Sequence, residues 1–131
     1  MCLAPHVFVE PESIAGVAAA REAFGSGDMA RRMLAYHDDP VATFGGWHDA
    51  WASDEFRSWN IEDRLGGVTA PVLAIQGRDD QYGTLAQLDA IEAGVSGPFE
   101  RIELDGIGHS PHTEARADVV AALVEFVVGL T

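Results

Sequence analysis

The chain has 131 residues, 47% of them apolar and 22% charged, a globular composition within the size range of one domain. Acidic residues outnumber basic ones 21 to 8, for a formal charge of -13. Such a surface repels nucleic-acid phosphates and anionic lipid, which argues against both as partners and is otherwise explained by solubility. The single cysteine, Cys2, leaves no intrachain disulfide and no cysteine zinc framework. No apolar run approaches the roughly 18 residues that span a bilayer, and no basic start precedes an apolar run, so no signal peptide and a reducing, cytoplasmic setting are expected.

In chain order, Leu3 to Val9 (LAPHVFV) is a short apolar run closed by Glu10-Pro11, which predicts a strand over about 2–9. Pro5 fits that strand only near its beginning or on an edge. Residues 12–35 read as helical with a break at Gly25-Ser26-Gly27, Asp28 standing as N-cap of a second helix that runs to about Tyr36. Residues 40–62 hold all three tryptophans, and Trp47 and Trp51, four apart, share one helix face. A packed aromatic core and a ligand contact both fit that pair. Gly66-Gly67 then breaks the pattern.

The second half changes character. Pro71 to Gln76 (PVLAIQ) is nearly continuous apolar sequence, the mark of a parallel strand buried on both faces. A helix follows from about Leu85 to Ala93, with Thr84 as N-cap, and Phe99 to Leu104 (FERIEL) alternates like a strand with one thinly covered face. A last helix runs from about Ala115 to Leu130. Strand, helix, strand, helix implies a parallel βαβ unit, so the fold class is α/β with about three parallel strands.

Two loops at the carboxyl ends of successive strands carry ionisable clusters, and that edge of an open parallel sheet is where ligands bind. The first is Gly77-Arg78-Asp79-Asp80 and the second Gly108-His109-Ser110-Pro111-His112. A carboxylate on one strand end can accept the imidazole N–H of a histidine on the next, fix its tautomer and stabilise the imidazolium formed in catalysis.

PVLAIQGRDDQYGT followed by LDGIGHSPH resembles the acid and histidine region of the α/β-hydrolase fold family. The resemblance implies Asp80 as the triad acid, with Asp79 as the alternative, and His109 as the base. It assigns residues 1–10 to a strand of the hydrolase core, residues 11–66 to a helical cap, and residues 67–131 to the C-terminal α/β core, all in one compact unit. Trp47 and Trp51 of the cap become candidate substrate contacts. The nucleophile elbow, Gly-x-Ser-x-Gly, is absent. Ser96 has Gly94 before it but Pro98 after, and Ser110 has Gly108 before it but His112 after. The glycine-rich oxyanion loop is missing as well.

Competing roles are weighed for the remaining polar residues. Glu10 reads as a capping residue in preference to an alternative acid, and His112 as an outer or surface residue. Cys2 has no cationic neighbour to activate it. His6, His37, His48, Asp38 and Asp39 match no zinc or calcium spacing, so neither a metal nor another cofactor is expected. The expected function is therefore the C-terminal portion of an enzyme for ester, thioester or related acyl or C–C bond hydrolysis, inactive alone. The alternative is a non-catalytic module that binds a small ligand or dimerises. The expected partners are a small acyl or aromatic substrate and either a second copy of the chain or a separate N-terminal half, met along the edge of the opening strand.

Overall fold

The computed structural model describes residues 1–130. Three parallel strands form one sheet in the order β1 (Cys2–Leu3), β2 (Val72–Gly77), β3 (Phe99–Leu104). Strand β2 is central. It pairs Ala74 and Ile75 with Cys2 and Leu3 on one side and runs in register with all of β3 on the other, from Val72 opposite Phe99 to Gly77 opposite Leu104. Its near-continuous apolar sequence follows from that position, because both faces are covered and five of its six residues are buried.

One face of the sheet holds Leu73, Ile75, Ile102 and Leu104, packed under Val119, Ala122 and Phe126 of the last helix, α6 (Arg116–Gly129). The second cluster joins Val7, Leu65 and Ile91, with Phe8, Ile61 and Phe99 against them. Ile91 belongs to α4 (Ala86–Gly94), the crossover helix between β2 and β3. On β3 the alternate residues Arg101 and Glu103 pair with each other, and Arg101 also reaches Asp89 and Glu92 of α4. That is why FERIEL alternates.

The segment between β1 and β2, termed the cap below, forms α1 (Pro11–Gly25), α2 (Asp28–Met33) and α3 (Pro40–Ala52), followed by a single turn at Glu55–Ser58 and two tight turns at Glu62–Gly67. Asp39 starts α3 by accepting the Ala42 N–H at 2.9 Å, with Pro40 at the first helical position, where its missing N–H costs nothing. Phe24 of α1 stacks on Phe44 of α3 at 4.1 Å between ring centroids. Among the described residues no helix is long and apolar enough to cross a membrane.

The largest departure from expectation is the opening strand, two residues long where about eight were expected. Ala4 takes a left-handed φ of 44°, which an L side chain rarely adopts, and Pro5 follows without an N–H for a ladder. Beyond that break the backbone finds other partners. Val7 N–H donates to the Gln87 side-chain oxygen at 2.7 Å, and Gln87 returns its amide to the Phe8 carbonyl at 3.1 Å. Ile61 N–H donates to the Val7 carbonyl, and Phe8 forms a lone antiparallel bridge with Asn60. Helix bounds shift in smaller ways. Gly27, not Asp28, is the N-cap of α2, and α2 ends at Met33. The N-cap of α4 is Leu85, Thr84 being bonded to Glu10. A short helix, α5 (Pro111–Glu114), precedes α6, which begins at Arg116.

Candidate active site

The polypeptide leaves β2 at Gly77 and β3 at Leu104, and the two loops cross closely. A Cβ at Gly77 would lie 1.9 Å from the Ile107 carbonyl oxygen, so only glycine lets them pass. Asp79 N–H then donates to that same Ile107 carbonyl at 3.0 Å and clamps the two loops together.

Asp80 and His109 meet across this clamp. His109 Nδ1 stands 2.9 Å from Asp80 Oδ2 and 3.0 Å from Oδ1. Because a carboxylate only accepts, Nδ1 carries the hydrogen, and Nε2 on the other side of the ring is left to take a proton. The Asp80 side chain is fully buried, while that of His109 is 34% exposed. Burial on its own pushes the Asp80 pKa up. The His109 hydrogen bond, the Tyr82 N–H at 2.8 Å, the His109 charge and the Gly83 backbone outweigh it, holding the carboxyl below its usual range. Asp79, the alternative acid, is exposed and touches the histidine loop only through its backbone.

Neighbouring groups hold each member in place. Gln76, wholly buried at the end of β2, donates to the Gly83 carbonyl at 2.8 Å and reaches Asp80 Oδ2 at 3.4 Å, which shapes the acid loop. Glu114 of α5 accepts the Gly108 N–H at 2.8 Å and the Ser110 N–H at 2.9 Å, gripping the backbone on both sides of His109. Glu10 begins α1, its N–H donating to the Ser13 hydroxyl, and its carboxylate also takes the Thr84 N–H and the Gln87 amide. It therefore ties the opening segment to the acid loop.

A cavity of about 50 Å³ lies beside the pair, walled by His109, Tyr82, His6, Trp47, Trp51 and the start of α1. Tyr82 meets the His109 ring edge-on at 4.8 Å, and Trp47 meets Tyr82 at 6.1 Å. His6 stands 5.8 Å from His109 and 5.3 Å from Trp51. The two tryptophans thus border the cavity, and each also packs on other aromatic rings. Burial raises the Tyr82 pKa, as does the Asp80 charge, against the opposing Gln81 hydrogen bond. Burial, then the nearby His109, lowers the His6 pKa, although Asp80 and Glu10 pull the other way. His6 Nδ1 is buried without a hydrogen-bond partner.

Sequence reasoning did not place His6 at the site, because an opening strand running to Val9 would have put it mid-ladder. The signal was Pro5, which ends β1 early and delivers His6 to the same carboxyl edge as Asp80 and His109. Ser96 lies at the opposite edge, just before β3, with its hydroxyl on the Gly66 carbonyl. Ser110 starts α5 and opens no elbow. His112 is exposed. Among the described residues no group of three or more His, Cys, Asp or Glu could hold a metal ion.

No family model matches the chain. Epoxide hydrolase A of Mycobacterium tuberculosis (strain ATCC 25618 / H37Rv) is 34% identical over 82 residues, which are 61% of this chain and 26% of that protein. The enol-lactonase from Burkholderia xenovorans LB400 superposes with a TM-score of 0.63 at 18% identity, over 96% of this chain and 54% of that one. A thermophilic esterase from Thermogutta terrifontis gives 0.61 at 16% identity, over 97% and 54%. A hydrolase from Pseudomonas aeruginosa PA01 gives 0.60 at 17% identity, over 95% and 53%. The chain spans little more than half the length of these structural neighbours. Nearly all of it superposes on about half of each neighbour, and Asp80 and His109 follow the carboxyl ends of β2 and β3 in that order along the chain. By fold, the chain corresponds to part of an α/β-hydrolase, and over 82 residues its sequence is similar to that of an epoxide hydrolase.

Proposed function

We propose that this chain supplies the acid–base half of a hydrolase active site for an ester, thioester or related acyl or C–C bond. The observation that carries the reading is the 2.9 Å contact between buried Asp80 and His109 at the carboxyl edge of adjacent parallel strands. His109 Nε2 takes the proton of an attacking hydroxyl and returns it to the leaving group, and the ionised Asp80 stabilises the imidazolium between those steps. The nucleophile and the oxyanion donors come from another polypeptide segment, since no serine here stands at an elbow. That segment belongs to a separate N-terminal half, in a cytoplasmic setting; a second copy of this chain, which has the same sequence, can pair along the opening strand but cannot supply the nucleophile. Trp47 and Trp51 then contact the substrate, whose acyl or aromatic part occupies the cavity they border.

Turnover of an activated aryl ester by the purified chain tests this. The expected rate is indistinguishable from buffer, because the residual catalysis left when a triad member is lost depends on an intact oxyanion hole. Hydrolysis that disappears in a His109→Ala variant would overturn the reading by revealing a nucleophile within these residues.

A further inference from the structure

A second, larger opening lies in the cap, where α1 faces α3 and the turn at Glu55–Ser58. It is a cleft of about 340 Å³ with Val17 and Trp51 among its apolar walls and Arg21, Glu22, His48 and Arg57 as its polar ones. That volume falls in the range of small-molecule sites, roughly 300–1,000 Å³ with a few placed polar groups. Val17 and Trp51 also border the cavity beside His109, so the two spaces share a wall.

The guanidinium of Arg21 is exposed and has no carboxylate acceptor. Its Nη1 lies 3.4 Å from His48 Nδ1, which is also 3.0 Å from Asp49 Oδ1. Arginine only donates and a carboxylate only accepts, so Nδ1 cannot serve both. The shorter contact, to the charged carboxylate, is the stronger one and keeps the hydrogen on Nδ1. Arg31, Arg57, Arg64, Arg78 and Arg101 each pair with a carboxylate; Arg21, like Arg32 and Arg116, pairs with none among the described residues, and of these three only Arg21 lines the cleft. Arg57 spends its Nε on Asp54 at 2.9 Å and keeps its two terminal amino groups. Glu22 is the one carboxylate among the cleft's walls, and it opposes an anion there.

We propose that this cap cleft binds a small molecule with an apolar body and one terminal carboxylate, the body against Trp51 and Val17 and the carboxylate on Arg21. Guanidinium and carboxylate match in a two-pronged geometry that an amide cannot reproduce with the same charge. Because the cleft adjoins the cavity beside His109, this molecule corresponds, on the hydrolase reading, to the bulky end of the substrate; the binding itself does not rest on that reading.

Nuclear magnetic resonance titration of the full chain with 4-phenylbutyrate and with its uncharged amide, 4-phenylbutyramide, tests the site. The indole N–H of Trp51, identified with a Trp51→Phe variant, is the reporter. The carboxylate is expected to shift Trp51 saturably and to bind about tenfold more tightly than the amide, the worth of one charge-assisted hydrogen bond. Arg21→Gln is expected to erase that difference by weakening only the carboxylate, and Arg21→Lys to restore part of it. Glu22→Gln is expected to tighten the carboxylate by about twofold, as removal of an exposed like charge does. The titration reads binding and the aryl-ester assay reads turnover, so failure of the hydrolase reading and failure of the cleft give different results. The absence of a saturable Trp51 shift in folded protein would overturn the proposal. So would equal binding of acid and amide, or an Arg21→Gln variant that binds the carboxylate as tightly as the parent.

Discussion

In β2 five of six residues are buried, and three of them (Ala74, Ile75 and Gln76) have no exposed surface; in the cap, α2 buries none of its six. The α/β half is held by sheet pairing with a helix on each face. The cap half is held by rings, Phe24 on Phe44 and Trp51 with Phe56 and Trp59; Val41, Leu34 and Tyr36 stand in solvent there, as Val120, Val124 and Val127 do on α6. Burial is therefore densest in the strand that leads into the Asp80 loop, while the helical segment is built from contacts that can shift at lower cost. All three tryptophans lie in the cap, so intrinsic fluorescence follows that half while far-ultraviolet dichroism follows both.

The sharpest break between the halves is expected from Ile75→Ala. Ile75 has no exposed surface in the central strand, and truncation of such a side chain costs about 2–5 kcal/mol. Phe24→Ala, on a half-buried ring of the cap, is expected to cost less and to lower the fluorescence midpoint in urea before the dichroism midpoint. Coincident transitions in both variants would show that the two halves unfold as one cooperative unit.

The join between the halves comes next. Gln87 is fully buried and bonds Val7 N–H, the Phe8 carbonyl and Glu10. Gln87→Ala leaves several buried polar groups without partners, at about 3 kcal/mol in total. Loss of amide-exchange protection at Val7 and Phe8 checks that the loss is local to this seam. Protection unchanged from the parent would mean that water replaces the side chain.

How much of this was legible in the sequence follows from the same contrast. PVLAIQ and FERIEL announce their strands because buried parallel strands leave a dense apolar record, and the residues after them mark the carboxyl edge. Asp80 and His109 could be read from that placement together with the family resemblance. LAPHVFV misled because an apolar run does not say whether its backbone is satisfied by a strand or by one side chain 80 residues away. Gln87, Gln76 and Glu114 were invisible for a related reason: buried polar partners leave no periodic signature. His6 was missed only because the strand ahead of it was drawn too long.

A smaller effect is expected from Asp80→Asn, which keeps the shape and removes the charge. A hydrogen bond to a charged partner is worth about 1.5–3 kcal/mol, and half-exposed His109 puts this one at the lower end. The folded-state pKa of Asp80 is depressed, so its contribution is complete above the ordinary aspartate value of about 3.9 and is lost as pH falls through the lower folded value. Melting curves of the parent and of Asp80→Asn are expected to differ at pH 7 and to converge under strongly acid conditions. A difference that persists undiminished at pH 2 would assign the effect to packing and not to the pair.

The mildest expected change separates the two halves by proton uptake at their seam. His6 sits between Trp51 of the cap and His109 of the core, and burial together with the His109 charge lowers its pKa against the pull of Asp80 and Glu10. In the unfolded chain it binds a proton below about pH 6.5, whereas in the folded chain it stays neutral to lower pH. The unfolded state therefore holds more protons in that interval, and stability falls as pH drops below about 6.5 toward the folded value. The slope cannot exceed about 1.4 kcal/mol per pH unit for one group. His6→Phe, which retains a ring of similar size, is expected to flatten this part of the stability curve while leaving pH 8 little changed. Carbon-13 shifts of the His6 ring measured across the same range check the cause directly. A His6 midpoint at or above 6.5 in the folded protein would remove the basis for the slope, and an unaltered curve in His6→Phe would assign it to another group.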